Sequence, residues 1–403
     1  MQKRIIALAI ASALAAPALA VADTGNVTVY GKANLSLDLV DSGTSALGVA
    51  GTRSNRVSSN TSLIGFKGSE DLGNELTAVW QIEQVVDMSG ASNTTSTFGT
   101  RNTFAGLSSK NIGTLLLGRH DTPYKLSTRK LDQFGDGIAD NRSLMGGVGK
   151  KSAVASFDGR QPDVLAYISP SLSGFTGAIA YVNLNQALNV SQALATDIKA
   201  KAWSLAGMYD FAPFYASLAY EVHDIGAGTI PVAPPVVTVA GKEKSTKLGL
   251  GYTQGAFAVG FAYEKTSDNF GLNAAAVTAL GNAACGAPLV AGADCFGHNA
   301  WYLSGKYSFG SDAVKLAYTK LGNTAGVGVG KSNSANQFSL GYDHSMSKRT
   351  TVYALYTKLN NSTNGNYGLS NNASSVNGPG AGTSTAGAGA DPSALSFGMR
   401  HSF

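Results

Sequence analysis

Paired runs of period-two alternation constrain this chain more than any other feature. Each pair is joined by a tight turn and separated from the next by a long polar stretch. "AWSLAGMYDFAPFYASLAYEV" is two such runs about Ala212–Pro213, and "KLGLGYTQGAFAVGFAYEK" repeats the plan about Gln254–Gly255. "AWYLSGKYSFGSDAVKLAYTK" turns at Gly310–Ser311, "QFSLGYDHSMSKRTTVYALYTK" near Ser345–Lys348, and "DVLAYISPSLSGFTGAIAYV" at Pro170–Gly174. Alternate side chains of a strand point to opposite faces, so each run has one apolar and one mixed face. Gly, Pro, Asp and Ser supply the turn geometry.

The stretches between hairpins run over about 183–200, 223–244, 266–299, 322–336 and 359–392. A soluble domain rarely carries so many long structureless loops. A membrane β-barrel has this asymmetry, with short turns at one rim and long loops at the other. The outer positions agree. Tyr209, Phe211, Phe214, Tyr252, Phe257, Tyr307, Phe309 and Tyr342 flank the short turns, and Tyr220, Tyr263, Tyr318 and Tyr356 approach the long loops. Two aromatic girdles a strand apart suit two membrane interfaces. The strands are expected at 26–40, 61–69, 74–84, 99–109, 112–119, 163–170, 174–183, 201–211, 214–223, 245–254, 256–265, 299–309, 312–321, 336–344, 349–358 and 393–403. This is an all-β chain: a 16-stranded antiparallel transmembrane β-barrel, its first strand closing on its last.

Composition fits. Charged residues make up 14%, against about 25% in a soluble domain. Beyond the first segment no apolar run reaches the ~20 residues of a membrane helix. That first segment has Lys3 and Arg4, an apolar run Ile5–Leu14, then "AAPALAVAD". It reads as a signal peptide over residues 1–22, with cleavage after Ala20 or Ala22, leaving a barrel over 23–403. The alternative is a short membrane anchor, which Pro17 interrupts. Removing Lys3 and Arg4 lowers the formal charge from +5 to +3, too mild for nucleic-acid binding. Cys285 and Cys295 are expected to form one local disulfide, since an exported chain meets an oxidising compartment and only His298 stands near for a metal site. No cofactor is called for.

The chain resembles the general-diffusion porins of Gram-negative bacteria, of the β-proteobacterial type. "VTVYGKANLSL", "SLIGFKGSEDLGNELTAVWQIE", "NTFAGLSSKNIGTLLLGRHDTPY", "AYISPSLSGFTGAIAY" and the terminal "GMRHSF" occur in the family's order. Two places depart from the pattern. Leu63 stands where the family has Arg, and "DQFGD", Asp132 to Asp136, lacks the Pro and Glu of the usual third-loop tip.

The resemblance implies a water-filled lumen and passive diffusion of ions and small hydrophilic solutes. It also implies a homotrimer in an outer membrane that carries lipopolysaccharide, and a third loop folded inward. That loop is about 120–162. Its acids are Asp121, Asp132, Asp136, Asp140 and Asp158, and its bases Lys125, Arg129, Lys130, Arg142, Lys150, Lys151 and Arg160. The wall candidates are Lys32, Asp38, Glu83, Arg119 and Arg400, with Arg53 and Arg56 in a loop at the mouth. The basic excess suggests a weak anion preference. Phe403, on the lipid side of the last strand, is the expected assembly signal.

Other classes fit less well. A barrel hydrolase needs a nucleophile beside a positioned His, and His120, His223, His298, His344 and His401 stand in no such context. A substrate-specific channel would line its lumen with an aromatic ladder. Only Tyr30, Tyr215 and Tyr302 take the inward phase. A third class is an adhesin or structural barrel with a plugged lumen; the low-complexity loop over 360–392 reads as a solvated surface loop.

Overall fold

The computed structural model describes residues 27–90, 98–146, 156–184, 199–230, 237–273, 290–369 and 387–403. The expected signal segment, Lys150 and Lys151, Cys285 and the centres of several long loops lie outside the described residues.

Alternation sets the two faces. In β9 (Ala200–Phe211), Trp203, Leu205, Tyr209 and Phe211 are exposed on the outside, while Ala202, Ser204 and Ala206 are buried inside. The same phase repeats in β10 (Phe214–Ile230), β11 (Val237–Gln254), β12 (Phe257–Asp268), β13 (Asn299–Phe309), β14 (Asp312–Leu321), β15 (Ala335–Ser345) and β16 (Thr350–Asn361). An apolar outer face and a polar inner face is the inverse of a soluble fold, and it is stable only with lipid outside. The remaining strands are β1 (Val27–Asp41), β2 (Arg53–Ser59), β3 (Leu63–Gly73), β4 (Leu76–Val85), β5 (Thr103–Ser109), β6 (Gly113–Asp121), β7 (Arg160–Ile168), β8 (Phe175–Asn183) and β17 (Ser393–Ser402).

Among the described residues these segments form one antiparallel sheet closed on itself. β1 pairs with β17 from Lys32↔Ser402 to Asp41↔Ser393. Its other edge takes β2 above and β3 below, from Leu35↔Ser59 to Asp41↔Arg53 and from Val27↔Gly68 to Lys32↔Leu63. β2 and β3 are therefore one stave broken at 60–62, and the barrel has sixteen staves. The break is built from polar contacts. Asn34 Nδ2 donates to the Asn60 carbonyl at 3.0 Å, Asn34 N to Ser62 Oγ at 2.9 Å, and Asn60 Nδ2 to Ser36 Oγ at 2.7 Å. Thr61 sits at φ 57°.

Barrel closure is tight at the short-turn rim. Gly31 and Phe403 exchange backbone hydrogen bonds at 3.0 and 3.1 Å, and the Phe403 ring lies over Gly31 on the outer face. A Cβ on Gly31 would meet that ring at 2.3 Å and the Leu63 carbonyl at 2.8 Å. The β3–β4 hairpin turns on Asn74 and Glu75, both at positive φ, as a two-residue hairpin turn requires.

Three expectations are corrected. Arg53 and Arg56 belong to β2 rather than to a loop. β10 and β11 run on to Ile230 and Val237, so most of the expected 223–244 loop is a hairpin standing above the bilayer. The third loop also holds a short helix α1, Pro123–Arg129, a minor element within the all-β barrel. It begins with Thr122 as N-cap, accepting from Lys125 N at 3.4 Å, and Pro123 follows at the first turn. β6 and β7 also extend into the expected loop, ending at Asp121 and starting at Arg160.

Candidate functional site: the inner loop and the facing wall

The segment 122–146 lies against the inner faces of β9–β13. The contacts run side chain to backbone in order along the wall. Tyr124 N donates to Ser204 Oγ at 3.0 Å, and Tyr215 Oη and Ser217 Oγ donate to the Ser127 carbonyl at 2.6 and 2.8 Å. Ser304 Oγ donates to the Leu131 carbonyl at 2.9 Å, and Tyr302 Oη to Asp132 at 2.8 Å. Small wall residues make room. A Cβ on Gly249, Gly251 or Gly260 would meet Leu131 atoms at 3.0, 2.8 and 2.7 Å. Further along, Phe134, Ile138, Leu144 and Met145 join a buried cluster with Ala262, Tyr302, Ala317 and Leu359 of the wall. Two of the three tyrosines expected to face inward thus hold the loop. The third, Tyr30, donates to Glu83 at 3.1 Å.

The loop carries a charge cluster at its tip. Arg129 reaches Asp136 at 2.8 Å, Asp140 at 3.0 Å and Asp132 at 3.5 Å, and Arg142 reaches Asp140 at 2.9 Å and Asp136 at 3.6 Å. Lys32 of β1 spans to Asp136 at 3.3 Å. Burial alone would push these carboxyls upward. For Asp136 and Asp140 the neighbouring Arg129 and Arg142 outweigh it and hold both below the usual carboxylate range. Asp132 is pushed up to about 6, by burial first and then by Asp140. Lys125 is pushed down to about 8 by burial, against the pull of Asp121.

A second cluster lies under the other end of the loop. Lys247 Nζ meets Asp158 at 2.5 Å and Glu264 at 3.6 Å, and stands 4.1 Å from the Tyr124 ring centroid. Glu264 also accepts from Tyr124 Oη at 2.8 Å and from Gly146 N at 3.0 Å. Nearby, His223 bridges Glu221 at 2.9 Å and Glu243 at 2.6 Å, with the Phe157 ring stacked on it at 4.4 Å.

Along the wall beside the loop, Glu83 pairs with Arg101, and Asp121 pairs with Lys125 of the loop helix at 2.7 Å and with Arg160 at 3.0 Å. Asp343 pairs with Lys315 at 2.9 Å and lies 3.7 Å from Arg400. Asp38 is buried, accepting from Ser36 at 2.7 Å with Arg56 at 3.8 Å.

Most of the expected residues fall into these groups. Lys32, Arg129, Asp132, Asp136 and Asp140 come together at the tip, and Glu83, Asp121, Lys125 and Arg400 stand beside it. Lys130 turns away, toward Asp210 at 2.6 Å and over the Tyr215 ring. Arg119 donates to the Thr100 carbonyl at 3.0 Å, beside a ladder irregularity at Gly118/His120. Cys295 is disulfide-bonded. Sequence reasoning missed Tyr124, Lys247, Glu264 and the His223 group. For Lys247, Glu264 and the His223 group the signal was phase, since a charged or polar residue opposite outward aromatics must face inward; Tyr124 lies in the loop helix and carries no such signal.

A family model described as Gram-negative porin matches residues 7–365. Major outer membrane protein P.IA of Neisseria meningitidis is 27% identical, covering 93% of this chain and 98% of that protein. P.IB of Neisseria gonorrhoeae is 34% identical over 45% of this chain. The anion-selective porin from Comamonas acidovorans has a similar fold at 22% identity, with TM-score 0.71 over 94% of this chain and 99% of that one. OmpF of Salmonella typhi, solved with daunomycin, follows at 16% identity, covering 94% of this chain and 98% of that one, with TM-score 0.62.

Proposed function

The chain belongs to the Gram-negative porin family, an outer-membrane channel for diffusion, and from that premise we propose how its lumen works. The loop segment over 122–146 narrows the passage. Solutes cross between the Arg129–Asp136–Arg142 cluster and the wall bearing Arg101 and Arg160. The observation that carries this reading is the loop's row of hydrogen bonds to inward Ser204, Tyr215, Ser217, Tyr302 and Ser304. It occupies one side of the lumen and leaves the other to the charged wall.

Bases outnumber acids along that passage, so anions are favoured weakly. A fixed transverse field also orients dipolar solutes. The Comamonas porin, of similar fold, is described as anion-selective, which agrees. No enzymatic chemistry is assigned to the lumen, whose histidines are held in structural contacts. The chain works as a homotrimer after removal of residues 1–22, and Cys285 is the partner of Cys295.

Planar-bilayer recording under a salt gradient tests this. Ohmic steps arriving in threes, with a reversal potential of anionic sign, are expected. Steps of cationic sign would overturn the assignment of the basic wall. Absence of conductance from folded, heat-modifiable protein would overturn the open passage.

A further inference from the structure

On the arc that the inner loop leaves open, the wall is not polar throughout. Lys67 of β3, Gln81 of β4 and Phe104 of β5 stand in one row, in register with Thr28 of β1. All share the inward phase of Lys32 and Glu83. One inward position nearer the short-turn rim, Gly106 lies between Val79 and Leu116. Its missing side chain leaves a gap bordered by Leu116, whose Cδ2 a Cβ there would meet at 2.8 Å. Ile168 of β7 closes the lower end, and His120 stands edge-to-face on Phe104 with ring centroids 5.2 Å apart. The result is a recess of about 490 Å³. On β1 it lies about 13 Å toward the short-turn rim from Lys32, which meets Asp136 of the loop.

Two features set this recess apart from plain water-filled wall. A barrel lumen is lined by polar groups, yet Val79, Phe104, Leu116 and Ile168 are apolar. Phe104 is the one phenylalanine on the inner face of a described strand, and the loop does not cover it, whereas Tyr215 and Tyr302 are engaged by the loop. The second feature is an unpaired cation. Lys67 is exposed to the lumen, 5.4 Å from the Tyr30 ring centroid, and has no carboxylate partner among the described residues. By contrast Lys32, Lys125, Lys247 and Lys315 each meet a carboxylate within 3.3 Å.

We propose that this recess binds aromatic carboxylates on their way through the channel, an inference that rests on the diffusion reading above. Lys67 and Phe104 stand two strand spacings apart, about 10 Å between backbones. A ring seated on Phe104 at the usual centroid distance of about 4.5–7 Å leaves its carboxylate within reach of the Lys67 ammonium on its flexible stem. The apolar floor takes the ring and the lysine fixes the anionic end, the division of labour of small-molecule sites. A small anion without a ring gains only the lysine, and a neutral ring gains only the floor. The recess therefore retains amphipathic anions where chloride passes freely.

The test is a fluorine NMR titration of para-fluorobenzoate against the folded, detergent-solubilised protein, read by line broadening. Saturable binding is expected, and acetate at the same concentration is expected not to displace it. Lys67→Gln and Phe104→Ala should each weaken binding about threefold or more. Phe104→Leu, which keeps apolar bulk and removes the ring, should fall between Phe104→Ala and the parent. Lys306→Gln removes an inward charge on the far wall, on β13, and is expected to bind within about twofold of the parent. Heat-modifiable migration verifies that each variant is folded. Parent-like binding by folded Lys67→Gln and Phe104 variants would overturn the proposal. So would full displacement by acetate, an equal loss in Lys306→Gln, or a parent that broadens the signal no more than empty micelles do. Chloride conductance of the same protein reports the open passage separately. A conducting parent without binding would lose the site and keep the channel; a binding parent without conductance would do the reverse.

Discussion

Asp132 takes its protonation from its surroundings rather than from its own chemistry. It lies beneath the loop, accepts from Tyr302 Oη and Phe134 N, and shares Arg129 with Asp136 and Asp140. Burial and the Asp140 charge lift it to about 6, while the other two carboxyls stay ionised far below that pH. Between pH 7.5 and 5 it gains a proton, and the loop becomes more positive by one charge. The reversal potential is expected to move toward anions over that interval, with a midpoint near 6. Asp132→Asn should hold the low-pH value throughout. A parent channel flat across that range would show that Asp132 does not set the local field. Sequence placed Arg129, Asp132, Asp136 and Asp140 together because they share one loop. It could not pair Lys32 with Asp136, since that contact depends on how the loop lies across the lumen.

At the scale of elements, the loop is held by residues whose inward phase is legible one by one but whose meeting no local pattern announces. Lys247, Asp158 and Glu264 come from β11, the end of the loop and β12, and meet at Tyr124 with almost no exposure. Removing one partner from such a group costs about 3–5 kcal/mol, because the other charges stay buried. Lys247→Met is therefore expected to free the loop while the barrel stays folded. Open-channel noise should rise and closure should occur at lower voltage. Adding Glu264→Gln removes part of the stranded charge and should restore part of the quiet state, which a double-mutant cycle measures. Equal noise in parent and Lys247→Met would show that the wall hydrogen bonds hold the loop alone. The strands were legible because lipid enforces one apolar face. β2, "RSNRVSS", was not, and neither were the upper ends of β10 and β11. Beyond the bilayer no face needs to be apolar, so their ladders leave no period in the sequence. α1 was missed because seven residues are too few to show a helical period, though Thr122-Pro123 marks its start.

For the whole molecule, a barrel is a sheet without edges, and its integrity rests on the seam where the chain's two ends meet. The first and last strands pair along ten rungs, from Lys32↔Ser402 to Asp41↔Ser393. At the short-turn rim the seam is locked by Phe403 seated on Gly31, which the terminal alternation foreshadowed on one side only. Phe403 was readable as outward, but its seat was not, because Gly31 lies at the far end of the sequence. A side chain at Gly31 must displace the ring or the Leu63 carbonyl. Overpacking of this kind costs about 1–3 kcal/mol. Gly31→Ala is expected to lower the temperature at which the folded, fast-migrating form is lost, with single-channel conductance unaltered because the change is on the lipid side. Gly305, on the outer face of β13, has open space where its Cβ would stand, so Gly305→Ala serves as the matched control and should leave that temperature unchanged. Equal heat resistance in both variants would mean that the ring finds another seat at no cost. Loss in Gly31→Ala alone would place the weakest point of the barrel at its seam.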